Sequence, residues 1–428
     1  LMRSSAASDV YKRQLIGFTA CDDDKNSVPQ VTVPISLSAP DSVQNAVISN
    51  VTATLKNITT GKESTVVAAP NNVRATTTFD FTVTIDEGLY NITVEGDIAY
   101  TFQDKEWTSR VRGYKGNVQL TGNSGSTTPT VALEGFLYTD NTTTGGDFVI
   151  AEIFFTGTET PEGKQYTGDK YFRIFNNSSD TLYADRLMIA ESQFQTVKKY
   201  DYTPDITANA LAVQAVYVVP GNGKDYPVAP GKSILICDNA IDHTKANTNS
   251  FDLTKADFEW YDESSNPNFT DVNNPDVPDM DKYYCYTATI WGPHNRGFHA
   301  YALARLGENE TKTSYLKNYA HAYTYNMVIG GNTYPMSDDG YKIPNSWILD
   351  AVNCSIKSEF VWLVTSPSLD LGWTYCGTVD KDASRYGKSV RRKVESITED
   401  GRVILKDTNN SSVDFDAEVK ADPYYVFK

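Results

Sequence analysis

Strict two-residue alternation, broken at short intervals by turn residues, constrains this chain more than any other feature. Phe79-Asp80-Phe81-Thr82-Val83-Thr84-Ile85 puts four apolar side chains on one side of an extended segment and polar ones on the other. Asp86-Glu87-Gly88 then turns the chain, and Leu89-Tyr90-Asn91-Ile92-Thr93-Val94-Glu95-Gly96 alternates again, with Tyr90, Ile92 and Val94 on one face. Val51 to Asn57 alternates as well and closes at Thr60-Gly61. A helix would scatter these side chains around its circumference, whereas a half-buried strand lines them up. The 27 Tyr outnumber the 18 Phe; Tyr and Thr favour strands, while the plentiful Asn, Asp and Gly favour turns. The chain is therefore expected to be all-β, built as two β-sandwich domains.

The first sandwich is expected over residues 31–135, after a tether at 22–30. Its order is an apolar strand, a Thr-Gly turn, Phe-x-Phe-x-Val-x-Ile, Glu-Gly and Tyr-x-Ile-x-Val. This resembles the transthyretin-like and carboxypeptidase-regulatory-like modules, small Greek-key sandwiches of prealbumin or Ig-like type. The resemblance implies a spacer or stalk. Lys105, Glu106, Arg110, Arg112 and Lys115 are read as a solvated edge that discourages sheet-to-sheet association. Thr, Gly and Asn-rich segments separate this module from a second one at 148–428.

The second module opens with the run Phe148 to Phe155, then Gly168-Asp169-Lys170-Tyr171-Phe172-Arg173-Ile174-Phe175-Asn176-Asn177, a Leu182 to Leu187 segment, and Pro230-Gly231-Lys232-Ser233-Ile234-Leu235. The series resembles the lamin-tail β-sandwich. It departs from that family at Arg173, where an acidic residue is usual, and in the long interruption between Ala190 and Asp225. Ser389-Val390-Arg391-Arg392 is similar to a late strand of the same fold. On this reading residues 238–385 form a loop-rich insertion that the sandwich does not need in order to close.

Leu15-Ile16-Gly17-Phe18-Thr19-Ala20-Cys21 reads as the remnant, 15–21, of a lipoprotein signal peptide, with Cys21 as the lipidated residue. Asp22, Asp23 and Asp24 resemble the export signal of surface lipoproteins in Bacteroidota-type bacteria. Residues 1–14, LMRSSAASDVYKRQ, resemble translated adapter read-through, an assembly artefact. The whole chain resembles an uncharacterised family of Bacteroidota surface lipoproteins. That resemblance implies a lipid anchor in the outer membrane, display at the cell surface, and an energy-coupled outer-membrane transporter as partner.

The formal net charge of −16 argues against a nucleic-acid partner, because such binders carry basic patches that neutralise phosphate. Cys237, Cys285, Cys354 and Cys376 allow three disulfide pairings, and free buried thiols are the alternative. No Gly-x-Ser-x-Gly, HExxH, P-loop or dinucleotide fingerprint occurs, so the expectation is a binding or accessory protein without enzymatic activity. An adhesin or scaffold is the first alternative, and a hydrolase with dispersed carboxylates the second. Ligand contacts are expected at Trp291, His294, Arg296 and His299, where a flat ring and several donors share one Gly/Pro-flanked loop. No cofactor is expected beyond calcium, for which Asp276, Asp279 and Asp281 are the candidates.

Overall fold

The computed structural model describes residues 28–39, 44–68, 78–102, 105–122, 129–135 and 147–428, apart from 265 and 270. Cys21, Asp22, Asp23 and Asp24, with the segments 1–14 and 15–21, lie outside the described residues.

The chain is all-β. Its first seven strands are β1 (Gln30–Ser38), β2 (Gln44–Asn57), β3 (Glu63–Val67), β4 (Thr78–Asp86), β5 (Gly88–Phe102), β6 (Lys105–Leu120) and β7 (Thr130–Gly135). They form one sheet in the order β3-β2-β5-β6-β7-β1-β4. The sheet folds over on itself. Val31, Val33, Ile35 and Leu37 of β1 and Phe79, Phe81, Val83 and Ile85 of β4 share a core with Val51, Ala53 and Leu55 of β2 and Tyr90, Ile92 and Val94 of β5. The alternating residues read from sequence are the ones that meet in this core.

The remaining strands build two further sheets and two small ribbons. They are β8 (Phe148–Phe154), β9 (Tyr171–Asn176), β10 (Leu182–Tyr183), β11 (Leu187–Gln195), β12 (Ala210–Val218), β13 (Pro227–Val228), β14 (Ser233–Cys237), β15 (Phe258–Glu259), β16 (Asp281–Cys285), β17 (His299–Arg305), β18 (Ala320–Ile329), β19 (Asn332–Pro344), β20 (Ile348–Ser355), β21 (Thr374–Tyr375), β22 (Lys388–Arg392), β23 (Val394–Ile397), β24 (Val403–Leu405) and β25 (Phe415–Lys420). One sheet has six strands, β15-β14-β9-β8-β22-β25. The other runs β18-β19-β12-β11-β17-β20-β21, with β16 also on β12. Phe148, Ile150, Phe172, Ile174 and Ile236 of the first meet Ile189, Tyr217, Tyr301, Leu303 and Val352 of the second. Both outer faces are covered too. Helix α1 (Lys312–Asn318), capped by Thr311, lays Tyr315 over Met188, Val213 and Ala302. Leu253, Ala256 and Val277 cover Phe154, Tyr171 and Leu235.

This topology corrects the expected insertion. Residues 238–385 are not peripheral: they supply β17 and β20, which sit inside the larger sheet, and the sandwich does not close without them. His299-Ala300-Tyr301-Ala302-Leu303-Ala304 is buried on both sides, so it lacks the alternation that marks a half-exposed strand.

Buried ion pairs fasten the late strand β22. Glu152 on β8 accepts from Arg391 Nε (2.9 Å), Tyr171 Oη (2.7 Å) and Ser389 Oγ (2.6 Å). Arg392, 3% exposed, meets Asp350 of β20 at 2.5 Å and Asp407 at 3.1 Å. Asp350 also accepts from Ile150 N (2.7 Å), so one carboxylate joins the two sheets. Such pairs cost desolvation, and removing one partner strands a buried charge.

A second correction concerns Arg112, expected on a solvated edge. It is 2% exposed. Its guanidinium pairs with Glu95 in its own sheet and donates to the carbonyls of Thr408 (2.6 Å) and Asn409 (2.6 Å) in the distant second unit. The four described cysteines are free thiols, so none of the three pairings forms.

Candidate functional site

The loop from Trp291 to His299 is positioned by the sandwich interior. Trp291 is 2% exposed, stacks on Tyr217 with ring centroids 5.0 Å apart, and leans on Trp260 at 5.3 Å. Its backbone N–H donates to Asp262 Oδ2 (2.7 Å), and its indole N–H points to Glu191 Oε1 (3.4 Å). His299, 3% exposed, holds its Nδ1 at 2.8 Å from the Ser192 carbonyl, which makes Nδ1 the donor. His294 is half-buried; burial, then the charges of His299 and Arg296, push its imidazole down to about 3. Arg296 pairs with Asp380 at 2.6 Å. Gly297 turns this loop at φ +63°, and a Cβ there would strike the Phe155 ring at 2.6 Å.

Trp291 and His299 therefore lie inside the core and do not fit the expected role of surface ligand contacts, whereas His294 and Arg296 sit half-buried at its rim. The chemistry that marked them in sequence, a large ring beside hydrogen-bond donors, is also what a buried polar seam requires. Asp279 accepts from Asn273 (2.9 Å), Asp276, Asp279 and Asp281 are exposed, and among the described residues no His, Cys, Asp or Glu cluster has the arrangement to hold a metal ion.

A different set of side chains forms an open face. Strands β18 and β19 make a long hairpin at the edge of the larger sheet, turning at Gly330-Gly331. Alternation places His321, Tyr323, Tyr325 and Met327 on one side of β18, and the segment Phe194 to Tyr202 comes up beside them. Tyr202 stacks on Phe194 at 3.7 Å and 15°, and lies near-parallel to Trp362 at 6.1 Å. Tyr325 meets Tyr200 at 4.7 Å and Tyr202 at 5.4 Å. Lys198 and Lys199 lie over Tyr200 and Trp362. Thr203 pairs with Thr324 through two backbone hydrogen bonds of 2.9 Å, pinning the segment to the hairpin edge.

On either side of that bridge lie two adjoining grooves of about 480 and 390 Å³, which share Thr203, Thr324 and Ser337. Asp338 and Asp339 line the first; Asp201, Tyr325 and Met336 line the second. Burial, reinforced by Tyr325 and Tyr200, pushes the Tyr202 phenol up, so that ring stays neutral at any physiological pH. At the hairpin tip Val328 and Ile329 are 66% and 58% exposed. The ring side thus offers flat apolar surfaces with Asp338 beside Tyr323, and the reverse side offers the hydroxyls of Thr203, Thr324 and Ser337. Sequence reasoning missed it because its parts come from three distant segments. The local signal was Tyr-x-Tyr at Tyr200-Asp201-Tyr202 and again at Tyr323-Thr324-Tyr325, which sets two rings on one side of an extended strand.

Fold and face together describe an all-β protein of two sheet-built units with a row of aromatic rings along one hairpin edge. The family model DUF4876, protein of unknown function, matches residues 229–422. The crystal structure of a DUF4876 family protein from Bacteroides thetaiotaomicron VPI-5482 is similar over 92% of this chain and 96% of that one, at 23% identity and a TM-score of 0.53, a shared fold. A candidate cell adhesion protein from Parabacteroides distasonis ATCC 8503 aligns over 74% of this chain and 84% of its own, at 11% identity and a TM-score of 0.17. No curated protein matches the chain. Among the described residues, no helix is long and apolar enough to cross a membrane.

Proposed function

We propose that the chain is a non-enzymatic binding lipoprotein, anchored in the outer membrane through Cys21, displayed at the cell surface, and working beside an energy-coupled transporter. Its binding face is the hairpin edge, and its ligand is a neutral glycan. The observation that carries the ligand class is the row of half-buried rings, Tyr200, Tyr202, Tyr325 and Trp362, with Asp338 on the same side beside Tyr323, while Thr203, Thr324 and Ser337 line the grooves on the reverse side of the ribbon. Rings pack against the C–H faces of a sugar, while carboxylates and hydroxyls bond its alcohols. The net charge of −16 disfavours polyanionic ligands. The exposed apolar tip at Val328 and Ile329 supports an adhesive second reading, in which the hairpin touches protein.

Affinity electrophoresis against a panel of neutral polysaccharides tests the ligand. Retardation by at least one is expected, weakened at least tenfold in Tyr325→Ala and Trp362→Ala while the melting temperature holds. No retardation across the panel, or retardation untouched by either variant, refutes the glycan reading. The anchor and the location rest on the residues around Cys21 alone. Behind a complete native signal peptide, Cys21→Ser is expected to release the protein from the membrane fraction; unchanged fractionation refutes the anchor.

A further inference from the structure

The centre of the sandwich holds ionisable groups that neither the packing nor the binding face uses. Lys170 immediately precedes β9 and Asp238 immediately follows β14, the neighbouring antiparallel strand. The Tyr171↔Cys237 register extends by one step through Asp238 N donating to Lys170 O (3.0 Å), so the two side chains leave directly opposed positions. Opposed residues have Cβ atoms about 4.5–5.5 Å apart on the same face. Lys170 and Asp238 are each 6% exposed. Both flank Gly292: a Cβ there would stand 3.5 Å from Lys170 Nζ and 3.7 Å from Asp238 Oδ2.

Neither group is satisfied as an ion. Lys170 Nζ donates one described hydrogen bond, to Pro293 O (2.7 Å), and no ion pair within 4.0 Å joins it to Asp238. Asp238 Oδ1 is buried without any hydrogen-bond partner. A dry interior disfavours an ammonium and a carboxylate held in this way. Burial accordingly pushes Lys170 down, against the attraction of Asp238 and Glu191, and pushes Asp238 well up, helped by Asp271. Amine and acid are thereby biased towards their neutral forms.

A third group comes from the opposite sheet. Glu191 on β11 is 2% exposed, and after Asp238 its charge acts most strongly on Lys170. Its carboxylate is oriented by Gln214 Nε2 (2.7 Å), the His294 N–H (3.1 Å) and the Trp291 indole. Trp291, Trp260, Phe172 and Tyr301, all buried, belong to the apolar core between the same two sheets. An amine and an acid on adjacent strands, a second carboxylate facing them and an apolar enclosure are the parts that an intramolecular amide condensation needs.

We propose that Lys170 and Asp238 join in an intramolecular isopeptide bond, with Glu191 as the proton relay. The Lys170 Nζ lone pair attacks Cγ of the protonated Asp238 carboxyl. The N–C bond forms and Glu191 takes a proton from the nitrogen. Glu191 returns that proton to the departing hydroxyl, the C–O bond breaks, and one water leaves. Amine plus acid gives amide plus water, with no oxidant, reductant or external reactant. The bond closes the loop from Lys170 to Asp238 and fixes β9 to β14 covalently.

Intact-mass spectrometry of the purified, denatured chain tests this. The expected mass is that of the sequence less one water. Tryptic mapping is expected to give a branched peptide joining Lys170 to Asp238, with no cleavage after Lys170. Lys170→Arg and Asp238→Ala are expected at full sequence mass. Glu191→Gln is expected to fold, with unchanged circular dichroism, and to keep its water. A wild-type chain at full mass and cut after Lys170 overturns the proposal, as does a water loss that maps elsewhere. Because the wild-type mass decides by itself, the result stands even where a variant fails to fold.

Discussion

His294 shows at single-residue scale how the interior sets chemistry. Burial, then the charges of His299 and Arg296, hold its imidazole near 3, against 6.5 in an unfolded chain. Between those values the unfolded state binds the extra proton, so the contribution of His294 to stability falls as pH drops below about 6.5 and levels off near pH 3. Each unit inside that window is worth at most about 1.4 kcal/mol. His294→Asn is therefore expected to flatten the decline in melting temperature between pH 6.5 and pH 4 relative to the wild type, as followed by thermal denaturation in matched buffers. Parallel curves would show that the imidazole is solvated. Arg173 illustrates a different residue-scale outcome. It is the departure from the lamin-tail pattern, and it serves the carboxyl-terminal tail: it donates to Tyr425 O (2.7 Å) and Ser233 Oγ (2.7 Å) and sits over the Phe427 ring.

Among elements, legibility follows exposure. Strands β1, β4 and β5 each keep one wet side, so period-two alternation shows their inner residues directly. Strands β8 and β17 are buried on both sides; β8 still reads as a strand because Phe148 to Phe154 is bulky and apolar, whereas the Ala-rich β17 merges with the loops around it. That is why the segment 238–385 reads as an insertion. The four cysteines lie within this same tightly packed unit and need no crosslink. Composition also misdirects the search for a site. Trp291 and His299 draw attention as rare residue types, but rarity marks a buried polar seam as readily as a surface. The hairpin β18–β19 carries its rings in plain two-residue spacing, yet only the approach of Tyr202 and Trp362 from elsewhere in the chain makes a face of them. Strand β18 contains no Asp, Glu, Lys or Arg, so its outer edge lacks the charges that usually discourage a neighbour.

On the scale of the whole molecule, Arg112 joins the two units. Its guanidinium is buried against Glu95 and the Thr408 and Asn409 carbonyls, which ties the rim of the first sheet to the loop before α2 (Ser411–Asp414). Contacts between units are often loose, and a saturated buried guanidinium makes this one specific. Arg112→Met keeps the length and loses the donors. Scanning calorimetry is expected to show one transition for the wild type and two for the variant, and small-angle scattering to show a broader distribution of lengths for the variant. An unchanged thermogram would assign the coupling to other contacts. Strand β1 carries a consequence of another kind. It lies parallel to β7, with Ser36, Leu37 and Ser38 opposite Thr130, Val131 and Ala132, and β7 is the last strand before the second unit. Tension drawn between the residues before β1 and the residues after β7 pulls these neighbours along their length in opposite directions. The ladder is then loaded in shear, all its bonds at once, instead of being peeled open bond by bond, so the first unit is expected to resist a pull between these two points more than an arrangement that unzips.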